Sequence, residues 1–305
     1  MNRAGELEHL LKDTGAKAVI AGQELLGPLR ALAAEGMAVP VIVACYGDYA
    51  DRRFDLPIPE AVAAERMTDL HLAQGILWDD ALAAAESPAP PLAGPDDWAV
   101  FPYSSGTTGN PKGCMHTHGT VMAAMAAGVA WNPLTSDAVN LVSLPLFHVT
   151  GMQSSMNASI YVGAPMVMMT RWDRKTAAEL IQRYKVARWR CITTMAIDLI
   201  NDPEISSYDL SSLQFMSGGG ASMPEPVARK LKEMTGLDFI EGYGLSETAA
   251  PIHVNPVDRP KRQCLGIPLF DVDARIADIE TGTEKGPGEI GEIVVNAPQV
   301  FKGYW

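Results

Sequence analysis

Residues Tyr103 to Gly113 read YSSGTTGNPKG, and this run restricts both the fold and the chemistry open to the chain. Glycines such as Gly106 and Gly109 let successive backbone N–H groups turn to one side with no Cβ in the way. A concave run of amides is an anion site, and Ser104, Ser105, Thr107 and Thr108 add hydroxyl donors. Lys112 adds a mobile ammonium that can follow a phosphate through a reaction. The apolar run before the loop (Trp98, Val100, Phe101) suits a strand, and His116 to Ala130 suits a helix. The expectation is a strand–loop–helix holding a polyphosphate. The ordinary nucleoside-triphosphatase loop needs Gly-Lys followed by Ser or Thr, whereas Pro111 precedes Lys112 and Gly113 follows it. A polar surface loop is the competing reading, and the ordered hydroxyls, glycines and closing Pro-Lys-Gly weigh against it.

Composition removes several function classes. The 305 residues allow one large domain or two ordinary ones, with the 47% hydrophobic and 20% charged content of a packed protein. A net charge of -12 argues against nucleic acid, which needs clustered Lys and Arg. Cys45, Cys114, Cys191 and Cys264 are widely spaced and read as free thiols, not a zinc site or a disulfide frame. Glu6 and Glu8 interrupt any signal-peptide pattern, and no apolar run reaches the roughly 20 residues that span a bilayer. The expected compartment is the cytoplasm.

Taken in order, the chain alternates short strands and helices, which favours a parallel sheet covered by helices. Helices are expected over 5–13, 23–34 and 78–86, with strands over 17–21 and 40–45 and irregular chain over 46–71. The Pro-rich stretch Ser87 to Pro95 marks a boundary. His116 and His118 suggest a metal, but at a helix start they point apart and have no acidic or Cys partner nearby, so helix-start polar residues are the preferred reading. His148 follows Phe147 where strand 139–144 runs out. That is a usual place for function in open α/β sheets, although a structural histidine is the commoner case. Met152, Met156, Met166, Met168 and Met169 read as adaptable core or as a flexible acyl pocket.

Two further runs complete the pattern. SGGGASMPE, from Ser217 to Glu225, has Gly218, Gly219 and Gly220 after a strand. Three glycines exceed what a plain turn needs and argue for an occupant. EGYGLSET, from Glu241 to Thr248, places Tyr243 between Gly242 and Gly244, free to lie on a planar ligand. Glu247 among hydroxyls suits a Mg²⁺ that bridges to phosphates.

These three runs, in this order, resemble the adenylate-forming enzymes, which include acyl-CoA synthetases, luciferases and peptide-synthetase adenylation domains. The likeness is nearly continuous from Trp98 to Trp305. QCLGIPLFDVDARI (263–276) looks like acyl-CoA synthetases, and GEIGEIVVNAPQVFKGYW (288–305) looks like the family's strand segment beyond its adenine site. The resemblance implies an α/β fold, the stacked helix-covered sheets of the family's large domain. It divides the chain into a partial N-terminal subdomain (1–95), an AMP-binding core (96–265) and the start of a β-barrel-like subdomain (266–305). It implies that Ser104, Ser105, Gly106, Thr107, Thr108, Gly109 and Lys112 surround the triphosphate of ATP. Tyr243, between Gly242 and Gly244, would stack on adenine, with Thr248 in the same site. Glu247, with Thr108, would hold Mg²⁺. Gly218, Gly219, Gly220 and Ala221 would line the junction of adenine and acyl chain, and His148 would stand near the carboxylate or gate the acyl tunnel. Amino-acid-activating relatives place an Asp just after the aromatic where this chain has His148 and Val149, so a medium- or long-chain fatty acid is the better match.

The implied chemistry is formation of an acyl-adenylate from ATP and a carboxylic acid, then transfer to CoA, with Lys112, His148 and Glu247 as catalytic residues. The family's next motif, hinge and small C-terminal lid lie beyond the point where this sequence stops. The expectation is therefore a fragment, impaired alone, with a homo-oligomer or a complementary fragment as possible partners. The alternative from another class is a non-catalytic nucleotide- or acyl-binding module.

Overall fold

Parallel strands need a long crossover between them, normally a helix, so short β-branched runs separated by amphipathic segments build helix-covered sheets. The computed structural model describes residues 3–50, 55–84, 87–104, 111–132 and 134–305, and it divides into two units, Met1–Leu92 and Ala93–Trp305.

The first unit runs α1 (Ala4–Thr14), β1 (Val19–Gly22), α2 (Leu26–Ala34), β2 (Val41–Ala44), α3 (Glu60–Ala63), β3 (Gly75–Leu77) and α4 (Trp78–Ala83). Gly15 stops α1 in the left-handed region, its N–H bonded to the Leu11 carbonyl. β1, β2 and β3 form a parallel sheet in that order. Ala21, Leu26, Leu29, Val41, Val43 and Leu70 close its core. β3 went unread in the sequence because three residues are too few to show a period.

In the second unit β4 (Trp98–Val100) pairs with β7 (His116–Thr117), and β5 (Tyr103–Ser104) pairs with β6 (Lys112–Gly113), both antiparallel. The expected strand–loop–helix is therefore a hairpin followed by another strand, and α5 (His118–Trp131) begins two residues later than expected. Thr117 caps α5, its hydroxyl accepting from Thr120 N. The chain continues through β8 (Asn140–Val142), a π-helical turn over Thr150–Asn157, α6 (Ala158–Val162), β9 (Met166–Met168), α7 (Arg174–Tyr184), β10 (Arg188–Cys191) and α8 (Thr193–Ile200). Next come β11 (Phe215–Gly218), α9 (Glu225–Thr235), β12 (Phe239–Leu245), β13 (Ala250–Val254), β14 (Ile267–Pro268), β15 (Asp273–Ala277) and β16 (Glu292–Asn296).

The main sheet has the order β14-β13-β12-β11-β10-β8-β9. Strands β8 to β12 are parallel, and β13 and β14 run against them. Trp189 on β10 is fully buried, stacked on Trp172 at 5.5 Å with its indole N–H on Ser143 Oγ at 2.9 Å. The chain steps outward from β8 to β9, then crosses back to β10. That reversal is a topological switch, and open α/β sheets bind ligands beyond the carboxyl ends of their strands at such a point. The expected start of a barrel-like subdomain is a two-stranded antiparallel ladder of β15 and β16, and the described residues close no barrel. No helix among them is long and apolar enough to cross a membrane.

Candidate active site

Three separate segments of the second unit converge around Lys112. The strand stub β6 places Lys112 opposite Ser104 and Gly113 opposite Tyr103. Gly113 has a packing reason: a Cβ there would sit 3.1 Å from the Tyr103 ring. The final residues run alongside this segment. Lys302 N donates to the Met115 carbonyl at 2.9 Å, Met115 N to the Gly303 carbonyl at 3.0 Å, and Trp305 N to the Gly113 carbonyl at 2.9 Å. Phe301 N donates to the Glu247 carbonyl at 2.8 Å, which brings in the turn after β12.

The result is a three-residue cluster. Lys112 Nζ stands 5.3 Å from the centroid of the Tyr304 ring, a cation–π distance, and the Tyr304 hydroxyl donates to Glu247 Oε1 at 2.6 Å. That hydrogen bond, with lesser help from burial and the Glu247 charge, pushes the Tyr304 phenol up to about 12. Cys114, buried beneath, has its thiol pushed up to about 12 by burial and then by Glu247, so it is no nucleophile.

His116 holds the Glu247 turn in place. It is a β7 residue, not part of a helix start, and it is fully buried. Its Nε2 donates to the Ser246 carbonyl at 2.8 Å and its Nδ1 faces Thr120 Oγ1 at 3.1 Å. Burial lowers its pKa, opposed by the Ser246 carbonyl and Glu247, so the neutral ring is the working form. His118, at the first position of α5, is exposed.

The two glycine turns meet each other. A Cβ on Gly219 would fall 2.5 Å from the Gly242 carbonyl oxygen, one on Gly218 2.0 Å from that of Cys191, and one on Gly244 2.2 Å from that of Ala250. Gly220 has φ +83. Each of these glycines thus has a backbone reason that needs no occupant. The Glu241 carboxylate ties the turn down: buried, it accepts from Met223 N at 2.7 Å and Gln263 N at 2.6 Å. Ala221 contributes its carbonyl to the Thr193 hydroxyl at 3.1 Å.

Tyr243 is half-buried, its ring 6.1 Å from that of His253. Thr248 is buried and spends its hydroxyl on the turn, accepting from Leu245 N and facing the Leu245 and Ala250 carbonyls. His148 is exposed, and its Nδ1 accepts from Thr150 N at 3.2 Å. Ser104 is half-buried beside Lys112, whereas Ser105, Gly106, Thr107, Thr108 and Gly109 lie outside the described residues.

Sequence reasoning missed Tyr304 and Glu241. The Gly-Tyr-Trp ending drew attention only as part of a strand segment, and Glu241 stood in plain view at the head of EGYGLSET. No group of three or more His, Cys, Asp or Glu side chains converges among the described residues. A cation at Glu247 would take one protein carboxylate and fill its shell with water and phosphate oxygens, which fits the habit of Mg²⁺.

Comparison with known proteins points the same way. Across residues 1–305 the chain matches the family described as AMP-binding enzyme. A long-chain-fatty-acid–CoA ligase of Bacillus subtilis (strain 168) is 38% identical over 212 residues, 68% of this chain and 38% of that ligase. A 4-coumarate–CoA ligase of Pinus taeda is 34% identical over 221 residues, 69% of this chain and 41% of that ligase. The crystal structure of the anthranilate CoA ligase AuaEII in complex with anthranoyl-AMP has the same fold, with a TM-score of 0.85 at 22% identity over 100% of this chain and 55% of that one. The chain thus spans 38 to 55% of the length of these relatives.

Proposed function

The chain belongs to the AMP-binding enzyme family, and from that premise we propose that it activates a carboxylic acid with ATP and passes the acyl group to CoA. A carboxylate oxygen of the acid attacks the α-phosphorus of ATP. The bond from that phosphorus to the bridging oxygen breaks, and pyrophosphate leaves. The CoA sulfur then attacks the acyl carbonyl carbon, AMP departs, and the thiol proton goes to solvent. The acid we favour is a medium- or long-chain fatty acid, in keeping with the absence of an Asp after Phe147.

The observation that carries this reading is the convergence of Lys112 and Glu247 on Tyr304. Lys112 neutralises charge on the departing pyrophosphate. Glu247 is the residue that would hold Mg²⁺, which when bound supplies charge neutralisation at the phosphates. Its Oε1 is steered by Tyr304, so its second oxygen keeps a defined direction. Tyr243 takes the adenine face, and the turn of Gly218 to Ala221 brings bare backbone close to the adenylate. His148, outside the cluster, takes the carboxylate or the acyl entrance. Catalysis on this account is mainly positioning and charge neutralisation.

Thermal unfolding with and without ATP and Mg²⁺ tests the proposal, with Lys112→Ala and Glu247→Ala beside the wild type. Pyrophosphate release over a panel of fatty acids follows. Stabilisation lost in either variant, together with pyrophosphate, supports a working adenylation core. Stabilisation without pyrophosphate supports a nucleotide-binding module. No stabilisation in the wild type overturns the proposed role of the cluster.

A further inference from the structure

Arg188 and Arg190 are two residues apart on β10, so their side chains leave the same face of the sheet. Both line a cavity of about 30 Å³ walled also by α5, β11 and β13. The fold accounts for Arg188: it donates to the Asn132 carbonyl at 3.1 Å and lies 4.1 Å from the centroid of the Phe215 ring. Arg190 is different. It makes no hydrogen bond or ion pair among the described residues. Burial draws its pKa down to about 10, and the charge of Arg188 adds to this. It is still a cation at neutral pH, half-buried in the cavity wall with no anion beside it among the described residues. Charges taken from water without a partner cost several kcal/mol, and a protein that keeps one has a use for it.

The surroundings point to a ligand. Ser217 is the register partner of Arg190 on β11, and its buried Oγ has no hydrogen-bond partner among the described residues. The cavity lies behind the two glycine turns: Arg190 precedes Cys191, which is in register with Gly218. Val254 and Pro251 in its wall are among the neighbours a Cβ on Gly242 would meet, at 3.3 and 3.9 Å. Arg188, Asn132 and Phe215 also border an open hollow of about 460 Å³.

We propose that this cavity receives the far end of the acid substrate, and that this end carries a second carboxylate, bound by Arg190 and Ser217. This rests on the acid-activating reading and narrows the acid from a plain fatty acid to an aliphatic acid with a carboxylate at each end. One carboxylate is activated in front of the glycine turns. The other supplies the anion that Arg190 lacks among the described residues.

The test is ligand-dependent thermal unfolding of the 305-residue chain without nucleotide. The probes are α,ω-dicarboxylates of increasing length, each beside the monocarboxylate of the same carbon number, on wild type, Arg190→Met and Arg190→Gln. A window of lengths should stabilise the wild type more as diacid than as monoacid. Affinity for that diacid should fall about tenfold to hundredfold in Arg190→Met, the range for losing hydrogen bonds to a charged group. Without ligand, Arg190→Met should unfold at a higher temperature than wild type, whereas loss of a merely structural arginine would lower it. If no diacid outperforms its monoacid, or if both variants bind the diacid as wild type does, the proposal fails. Should Arg190→Met not fold, Arg190→Gln carries the comparison. Pyrophosphate release with the same acids separates the two readings. Arg190-dependent diacid binding without pyrophosphate keeps this site and removes the acid-activating reading. Pyrophosphate from monoacids alone, unchanged in Arg190→Met, does the reverse.

Discussion

The Tyr304 hydroxyl donates a 2.6 Å hydrogen bond to Glu247 Oε1 across 57 residues of sequence, while the Tyr304 ring lies beneath the Lys112 ammonium. One aromatic side chain therefore contacts both the cation and the carboxylate on which the proposed chemistry depends. Its phenol, pushed up to about 12, is neutral over the whole physiological range.

Glu247→Gln should bring that phenol back toward its ordinary value of 10.0, because the hydrogen bond to the carboxylate is the largest cause of the shift. A folded-state pKa above the unfolded one gives stability that is complete below the unfolded value and lost as pH rises through the folded one. The wild type should therefore lose stability relative to Tyr304→Phe between pH 10 and about 12. Phenolate absorbance, wild type minus Tyr304→Phe, reads the titration. An unchanged midpoint in Glu247→Gln would refute the coupling.

His116 should make the second unit acid-sensitive. Its pKa is lowered by burial, so its contribution is present above the ordinary value of 6.5 and fades as pH falls through the depressed value. Protonation would turn a ring whose Nδ1 faces the Thr120 hydroxyl into a buried cation. Unfolding midpoints recorded as pH falls below 6.5 should drop less steeply in His116→Gln than in wild type. Parallel curves would assign the acid sensitivity elsewhere, His253 being the other histidine lowered by burial.

Glu241→Ala should cost about 3 kcal/mol, the upper range for hydrogen bonds to a charged group. It strands the Met223 and Gln263 N–H groups that the carboxylate now accepts. Glu241→Gln keeps one acceptor and should cost less. Urea denaturation gives both values, and an Ala variant as stable as wild type would rule out the tether.

Two glycine substitutions should have opposite signs. Gly218→Ala places a Cβ 2.0 Å from the Cys191 carbonyl oxygen and 2.7 Å from the Phe239 ring, an overpacking that costs about 2–3 kcal/mol. Gly128→Ala, inside α5 with nothing within 4 Å of its Cβ, should add about 0.5–1 kcal/mol. Chemical denaturation of the pair separates backbone crowding from helix propensity.

Much of the element order was legible because period and punctuation are local. Gly15 closes α1, Pro224 opens α9, and the runs at 41–44, 188–191 and 215–218 are strands. The antiparallel pairing around Lys112 was not, since strand stubs of two residues carry no period and the register of Ser104 with Lys112 exists only in the folded chain. The glycine run also answers to backbone packing. Its three residues answer to a carbonyl at 2.0 Å, another at 2.5 Å and a positive φ, none of which leaves a mark in sequence beyond the glycines themselves.

The sequence by itself determined the family, the alternating strand–helix plan and the residue types available for phosphate and cation chemistry, because these depend on short-range order and on motif spacing along the chain. Only the tertiary structure decided which of those residues act together. Tyr304 reaches Glu247 over 57 residues and His116 reaches Ser246 over 130, contacts that exist once the sheet is closed and the last strand segment lies against β6. It also decided that Arg190 faces a cavity with no counter-ion among the described residues, because burial and pairing belong to the packed interior and not to any stretch of the chain.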